Sequence, residues 1–510
     1  MTVAFLRRNQ TVLVTLAILA GLVLLMASRY PPRVAASILL SGLTLGSLYF
    51  LVASGLSLIF GLMDVLNFAQ GLLFMMGAYI GYTLYANPRM LWNTLPLALA
   101  LMGGGIIGTA LARSAWQRTG ALALSIERAI VTGAWIGAIA CSIIGFGGFD
   151  LIALASSSAV VAGGAIPTAQ AQASDAVFFG RVIALVLAGL FFGAAIYSGR
   201  DRHTIERSRP QRQRRNLILA VVFILLALAL TPLRLAGEQF ILSLSSDVRF
   251  ILALIAGALS GAALGALIEW GLIRPLYARP IYQVLVTLGL VYVGTEVVKS
   301  IWGPAGFYMD IPALFNTGGE NCPSPDLISW LSNHCASIDV LGRPFPSYRM
   351  FIIFLGGAVF IGVAILLKRT RLGMTIRAGV QDSDMVQALG INVRRVFTAV
   401  FALGAALAAL GGVAAAPFIG VNLGIGQELL IQGFIAVVIG GMGSYPGAAI
   451  GALIVGMARA FGDQFVLAGI QLPGMETAIK FSPSIARAST VLIMALVLLI
   501  RPTGLFGKKD

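Results

Sequence analysis

A basic and polar segment, Arg371–Arg395, lies between two long apolar runs. Within it, Met385, Val386 and Leu389 lie at positions i, i+1 and i+4, which predicts an apolar stripe along one side of a short helix. A stripe of this kind can pack on another protein, while the charged side chains around it orient the contact.

The end of this short helix is also predictable. Gly390 is followed by Ile391 and ends the helix, because glycine adopts the left-handed conformation that a side chain opposes. Asp382, at the opposite end, supplies one of the orienting charges. Two interpretations are open for the segment: a docking element for a cytoplasmic protein, or an interfacial helix lying on lipid.

Residues for catalysis or metal binding form no recognisable group elsewhere. The two histidines, His203 and His334, lie in separate polar loops, and no GxxxxGK[ST] phosphate loop occurs. The sequence therefore predicts no catalytic residue, no metal site and no cofactor. Charged residues within apolar runs are few, and three close pairs are expected to neutralise each other. These are Glu269 with Arg274, Glu296 with Lys299, and Arg459 with Asp463.

Two polar or glycine-rich stretches, DVLNFAQG and GGMGSYPG, interrupt apolar runs in opposite halves of the chain. In transporters such paired interruptions place unwound backbone along a solute path. The residues expected along the path are Asn67, Phe68, Gln70, Gly71, Gly440, Gly441 and Gly443. An equally open interpretation is that the glycines allow close helix packing and that the Asn67 and Gln70 side chains cap a broken helix.

The composition determines which elements hold these residues. Of 510 residues, 58% are hydrophobic and only 11% are charged, and apolar runs of spanning length recur throughout. We predict an all-α, polytopic transmembrane bundle of about 14 spans, including broken or half helices. The runs Leu429–Gly440 and Ala448–Phe461 are short enough to be half-helices. The amino-terminal run, Thr11–Ser28, is expected to be an uncleaved first span.

The positive charges predict the orientation. The net charge of +15 comes from Lys and Arg in short loops on one side of the spans, which favours membrane orientation over nucleic-acid binding. That side is expected to be cytoplasmic, with both termini inside. The polar loop 303–348 then lies outside and carries Cys322 and Cys335, for which a disulfide and two free thiols are both open. Cys141 lies in an apolar run and is expected to be buried.

Three stretches resemble a known family. They are SGLTLGSLYFLVASGLSLIFGLMDVLNFAQGLLFMMGAYIG at Ser41–Gly81, ALIEWGLIRPLYARP at Ala266–Pro280, and the stretch Arg371–Gly456, followed by RPTGLFG from Arg501. In this order they resemble the LivH-type permease of ABC importers for branched-chain amino acids. The likeness extends over roughly two-thirds of the chain.

The resemblance implies a multi-pass subunit of the bacterial inner membrane that has no ATPase site and is not an enzyme. It also implies several partners: a second, LivM-like permease, two ABC ATPase subunits that bind ATP, and a periplasmic solute-binding protein. Membrane lipid surrounds the subunit. In such permeases the short helix at Asp382–Leu389 enters a groove on the ATPase. The solute is expected to be a branched-chain amino acid or a related small polar molecule such as urea or an amide.

The resemblance also divides the chain. Residues 1–86 are expected to form the first part of the permease core with an extra span, and 249–510 the second part, with the loop 303–348 and the coupling loop 369–395. Residues 87–248 depart from the family pattern and are expected to be an added transmembrane insert. A functional alternative is a stand-alone secondary carrier or channel, in which 371–395 is only a loop.

Overall fold

The structure is a computed structural model. It describes residues 20, 21, 24, 26, 28, 30–63, 66–119, 124–146, 175–198, 210–277, 279–319, 322–381, 383–388, 390–469, 482–501 and 504–507. The predicted first span, Thr11–Ser28, lies almost entirely outside these residues.

The described chain is almost entirely helical, as a backbone surrounded by lipid requires, because a helix satisfies its own N–H and C=O groups. The helices are α1 (Pro32–Met63), α2 (Ala69–Ala86), α3 (Pro88–Thr119), α4 (Leu124–Gly145), α5 (Asp175–Ser198), α6 (Pro210–Leu230), α7 (Arg234–Ser243), α8 (Ser246–Ile268), α9 (Pro280–Trp302), α10 (Leu327–Asn333), α11 (Ser347–Arg369), α12 (Arg371–Gln381), α13 (Ser383–Ala388), α14 (Val393–Ile419), α15 (Ile425–Gly440), α16 (Tyr445–Ala468) and α17 (Pro483–Ile500). A π-helical turn, Glu269–Ile273, and a 3₁₀ turn, Arg274–Leu276, extend α8. A further 3₁₀ turn covers Ala313–Phe315.

Two short strands occur within the described residues, both in the loop between α9 and α11. β1 (Ser337–Asp339) and β2 (Pro344–Pro346) pair antiparallel, with Ser337 opposite Pro346 and Asp339 opposite Pro344. The all-α prediction is therefore confirmed in its class, with one hairpin added in a polar loop.

The chain divides into two compact units. One comprises residues 1–85 and 246–510, and the other residues 86–245. The functional division into 1–86, 87–248 and 249–510 stays a prediction.

In the first unit, α1, α14 and α16 are the most buried of the helices long enough to cross a membrane. Within their most apolar windows, 83% of residues are buried in α1, 61% in α14 and 50% in α16. The corresponding shares in α8, α9 and α11 are 22%, 11% and 17%. Apolar side chains that point away from the core are stable in lipid, so α8, α9 and α11 have the composition and burial of lipid-facing helices.

Small residues set the spacing of the central helices. At Gly412 in α14, an added Cβ would lie 1.9 Å from the carbonyl oxygen of Phe74 in α2. Only a residue without a side chain permits that approach, because the neighbouring atom is backbone and cannot rotate away. The α2–α14 contact therefore depends on glycine at this position.

The second unit is a helical bundle with its own apolar core. Leu97 in α3 and Phe178, Val182 and Leu185 in α5 are all less than 5% exposed. Helices α6 and α7 meet at a bend of 74°. At this bend the Arg234 guanidinium lies 3.7 Å from the centre of the Phe178 ring.

Eight described helices are long and apolar enough to cross a membrane, or nine if the bent α6–α7 pair counts as one span. The predicted count of about fourteen is not confirmed. One predicted half-helix is longer than expected: α16 has 24 residues, whereas its apolar run, Ala448–Phe461, is much shorter. Arg459 and Asp463 in this helix pair four residues apart, over 3.0 Å. Helix α15 has 16 residues and is one of the shorter apolar helices.

Candidate solute path and docking segment

The first predicted path segment forms the break between α1 and α2. Asn67 precedes α2, and its Oδ1 accepts a hydrogen bond from the Ala69 N–H over 3.1 Å. The Asn67 Nδ2 donates to Gln70 Oε1 over 3.4 Å. Both side chains are buried, with 1% and 0% exposure. Asn67 therefore satisfies a free N–H at the start of α2, as a capping residue does.

The next residues of this segment pack against two other helices. Gln70 Nε2 donates to the Gly404 carbonyl oxygen in α14 over 2.7 Å. At Gly71, an added Cβ would lie 2.5 Å from the Gly426 carbonyl oxygen in α15. Phe68 is half-buried, and its ring centre lies 6.3 Å from that of Phe434 in α15.

The second predicted segment forms the turn between α15 and α16. Gly440 ends α15, and Gly441 and Gly443 have φ angles of 99° and 80°, a region that favours glycine. The Phe506 N–H donates to the Gly440 carbonyl oxygen over 2.9 Å, so the carboxy-terminal chain closes against this turn.

The two segments approach each other at one end of the core. The position that a Cβ would take on Gly61, near the end of α1, lies 3.1 Å from Gly443 Cα. In this conformation the Asn67 and Gln70 amides are hydrogen-bonded within the chain. The contacts are those of capping and packing, and the solute path stays a prediction.

The docking segment, Arg371–Arg395, contains α13 (Ser383–Ala388), which lies within the range of the predicted helix. Met385 is 61% exposed and Ile391 38% exposed, so both are available to a partner. Gly390 has a φ angle of 80°, the left-handed conformation expected where the helix ends. Asp382 and Leu389 lie outside the described residues.

Val386 differs from its predicted place in the exposed stripe. It is only 3% exposed, because it turns towards the chain's own core. Its carbonyl oxygen accepts a hydrogen bond from the Ile391 N–H over 3.3 Å. Residues one apart on a helix point about 100° away from each other, so Met385 and Val386 do not share one face. Val386 anchors the segment, and Met385 is its exposed apolar residue.

A pocket of about 580 Å³ lies beside the docking segment. Its lining includes Tyr277, Gly390, Ile391, Asn392, Arg394 and Phe397. The Tyr277 and Phe397 rings meet edge to face, with centres 5.4 Å apart. The pocket thus joins the docking segment to the first turns of α14 and to the chain that follows α8.

A buried carboxylate lies next to this pocket. Glu269 is 0% exposed, and the Arg274 guanidinium donates to both its oxygens, over 3.2 Å from Nε and 3.1 Å from Nη2. The Thr398 hydroxyl donates to Glu269 Oε2 over 2.6 Å, and the Tyr277 hydroxyl donates to Oε1. We call these four residues the Glu269 cluster. The charge is desolvated but has four hydrogen-bond donors, as a buried carboxylate requires.

Only part of this cluster was predictable from the sequence. The spacing of Glu269 and Arg274 indicated their pairing, and Tyr277 follows in the same RPLYARP stretch. No sequence signal indicated Thr398, which is 129 positions from Glu269 and reaches it only through the packing of α14.

The other expected ion pairs are present. Lys299 Nζ lies 3.4 Å from Glu296 Oε2 on the exposed side of α9. The Arg459 pair is part of a larger group, since Arg487 in α17 and Arg459 lie 3.1 Å and 3.9 Å from Glu428 Oε1 in α15. This group connects three helices, a contact that sequence spacing did not indicate.

The polar loop between α9 and α11 is internally braced. Cys322 and Cys335 form a disulfide, with their Cα atoms 5.6 Å apart. Asp326 caps α10, accepting from the Ser329 N–H over 2.7 Å, and this hydrogen bond lowers the pKa of the Asp326 carboxyl. Cys141 is half-buried and has no disulfide partner.

The family described as "Branched-chain amino acid transport system / permease component" matches residues 38–141 and 215–501. The match omits residues 142–214 but includes residues 87–141 and 215–248, which also belong to the predicted insert. No solved structure matches the chain.

Individual relatives agree with this family. The high-affinity branched-chain amino acid transport system permease protein BraD of Pseudomonas aeruginosa is 38% identical over 167 residues, 32% of this chain and 49% of that protein. The corresponding protein LivH of Escherichia coli is 29% identical over 262 residues, 51% of this chain and 76% of that protein. The autoinducer 2 import system permease protein LsrD of Salmonella paratyphi B is 27% identical over 270 residues, 51% of this chain and 69% of that protein.

The first of these matches covers about half of the relative's length, whereas the family match covers most of this chain. The matched stretches include both predicted path segments, the Glu269 cluster and the docking segment. A multi-pass helical architecture accompanies the match, as expected for a membrane permease. The chain belongs to the family of permease components of branched-chain amino acid transport systems.

Proposed function

We propose that this chain is a permease subunit of an ABC importer in the bacterial inner membrane. It moves branched-chain amino acids, or a related small polar solute such as urea or an amide. A second permease subunit, two ATPase subunits and a periplasmic solute-binding protein complete the transporter. ATP is bound by the ATPase subunits, so this chain needs no cofactor of its own.

The observation that carries the proposal is the docking segment, combined with the family match. Helix α13 presents Met385 to solvent between two apolar spans, while Val386 fixes the helix to the subunit. An exposed apolar residue is suited to a protein contact, because burying it there removes apolar area from water. Ile391, also exposed, lines the pocket beside this segment. We place this segment and both termini on the cytoplasmic side, since the flanking cations favour that side.

The transport mechanism follows from this arrangement. The ATPase subunits change their separation on binding and hydrolysing ATP, and the docking segments move with them. The permease helices then open the path first outwards and then inwards, so the solute reaches one side at a time. Asn67, Gln70 and the Gly440–Gly443 turn are proposed to line or border this path. Their present hydrogen bonds then belong to a conformation in which the path is closed.

The test is Met385→Glu in the complete transporter. A carboxylate at a contact that excludes water is expected to cost about 2 kcal/mol or more, a roughly 30-fold loss of affinity for the ATPase. Co-purification of the ATPase and ATP-dependent uptake of L-leucine into proteoliposomes should both fall, with membrane insertion unchanged. Leu331→Glu in α10 is the control, since Leu331 is similarly exposed at 66% but lies in the outer loop.

The rival function makes the opposite prediction. A stand-alone carrier would transport the solute without an ATPase and would be insensitive to Met385→Glu. Uptake by the purified chain alone, driven by a solute gradient or an ion gradient, would therefore refute the permease proposal.

A further inference from the structure

The Glu269 cluster connects the docking segment to two long helices. Glu269 opens the π-helical turn at the end of α8, and Thr398 lies in the second turn of α14. The docking segment continues directly into α14, whose capping residue Asn392 accepts from the Arg395 N–H over 3.2 Å. The cluster therefore lies about 9 Å along α14 from its capping residue.

The cluster resists deformation for an electrostatic reason. Its carboxylate is fully buried, and the Arg274 side chain is 27% exposed. If α14 moved away from α8, Thr398 would leave a charge that water cannot reach, which is a large penalty in a medium of low polarity. Arg274 Nη2 also donates to Thr398 Oγ1 over 2.6 Å. Moving α14 away would therefore separate Thr398 from both Glu269 and Arg274.

The contact between α8 and α14 does not need this cluster for packing. Gly257, Gly261 and Gly265 in α8 face Val413, Ala409 and Ala405 in α14, respectively, where an added Cβ would lie 2.3 to 2.4 Å from a side-chain carbon. That close contact extends over two turns and suffices for helix association in lipid. A buried ion pair is a weak source of stability compared with apolar packing. The position of the cluster, at the cytoplasmic end and beside the docking pocket, indicates a different role.

The π-helical turn supports this view. Residues Glu269–Ile273 interrupt the regular hydrogen-bond pattern of the helix at the cluster itself, and such turns occur frequently at functional sites. The interruption is held by side chains from α14 and from the chain after α8. Its conformation therefore depends on where the start of α14 lies.

We propose that the Glu269 cluster transmits movement of the docking segment to α8, so that α8 and α14 move as one body. Glu269 is then a positioning residue for the coupling of ATP hydrolysis to transport. The inference rests on the proposed function, because it needs an ATPase that moves the docking segment. It adds the residues through which that movement reaches the transmembrane helices.

The first test is Glu269→Gln in the complete transporter, reconstituted in proteoliposomes with L-leucine as the probe. The substitution keeps the side-chain size but removes the charge that orders Arg274, Tyr277 and Thr398. The ratio of leucine uptake to ATP hydrolysis is expected to fall about 2- to 30-fold, the range for residues that carry coupling. Glu296→Gln in α9 is the matched control, since that carboxylate also pairs with a cation but is 64% exposed. A merely structural role would lower assembly and leave the ratio unchanged, which would overturn the inference.

A second pair of variants decides the matter if Glu269→Gln does not assemble. Thr398→Val removes one donor at nearly constant volume, and Thr398→Ser retains the hydroxyl. Valine is expected to lower the ratio of uptake to hydrolysis, and serine to restore it. Equal ratios for the two variants would overturn the inference.

Spin-label distances separate this inference from the proposed function. With labels at Ala388 in α13 and Ile255 in α8, both exposed, the distance in the wild-type complex should not change on adding ATP. In the Glu269→Gln complex the distance between the two labels should shift or broaden on adding ATP. A change in this distance on adding ATP to the wild-type complex would overturn the inference. Wild-type leucine uptake that does not depend on ATP would instead refute the proposed function.

Discussion

Gln70 distinguishes helix packing from solute binding at the first interruption. Its side chain is fully buried, donates to the Gly404 carbonyl oxygen over 2.7 Å and accepts from Asn67 Nδ2 over 3.4 Å. An added Cβ on Gly55 would lie 2.1 Å from Gln70 Nε2, so the amide fills the space that this glycine leaves. The structure thus indicates that Gln70 connects α2 to α14.

The perturbation is Gln70→Leu, which keeps the side-chain volume and removes both hydrogen bonds. Because no large cavity forms, the loss is expected to come from the hydrogen bonds alone. Bonds between transmembrane helices contribute about 0.6 to 2 kcal/mol each. The bond to Gly404 at this value and the local bond to Asn67 at about 0.5 to 1.5 kcal/mol together predict a decrease of roughly 1 to 3.5 kcal/mol in the free energy of unfolding, about 5- to 350-fold in the folding equilibrium.

The assay is unfolding of the purified subunit in mixed micelles by increasing the mole fraction of a denaturing detergent. Gln427→Leu in α15 is the control, since Gln427 is exposed and should change stability little. Uptake of L-leucine by the assembled transporter gives KM for the same variants. Unchanged stability of Gln70→Leu, together with a clearly raised KM, would refute the packing argument and favour direct solute binding.

Two further predictions test packing and the outer loop. Gly412→Ala places a methyl group against the Phe74 carbonyl and should lower the free energy of unfolding by about 1 to 3 kcal/mol in the same unfolding assay. Gly289→Ala is the control and should leave this free energy unchanged, because the added methyl group meets no atom within 4 Å. Replacing Cys322 and Cys335 by serine opens a loop closed over 13 positions and should destabilise that loop by about 3 kcal/mol. The measurement is limited proteolysis, in which the loop should be cut faster while the transmembrane helices stay intact. Unchanged proteolysis would contradict the expected bracing.

The conformation of Gly390 was predictable because it depends on local chain geometry alone. A glycine directly after a helical stripe favours the left-handed conformation, and Gly390 adopts it. The pairing of Arg459 with Asp463 was likewise predictable, since four residues on a helix bring two side chains together. The multi-pass class follows from the same kind of reasoning, because lipid requires long apolar helices whatever their partners.

Local chain geometry did not predict whether Val386 faces the core of the subunit or the solvent. Met385 and Val386 are both apolar, so the sequence alone does not tell which of them faces the subunit's own core. Packing decides it, leaving Val386 at 3% exposure and Met385 at 61%. The number of spans was hard to predict for a related reason. A run of apolar residues marks a helix but not where the helix ends.

The sequence by itself determined the class of the molecule and its family and predicted the docking segment, because composition, motif order and local helix geometry can be read along the chain. Only the tertiary structure decided the distant contacts of Gln70 and Glu269. Their partners Gly404 and Thr398 are more than a hundred positions away, and no periodicity connects residues across that separation. Helix packing brings them together, and a buried amide or carboxylate then takes whichever donors and acceptors that packing supplies.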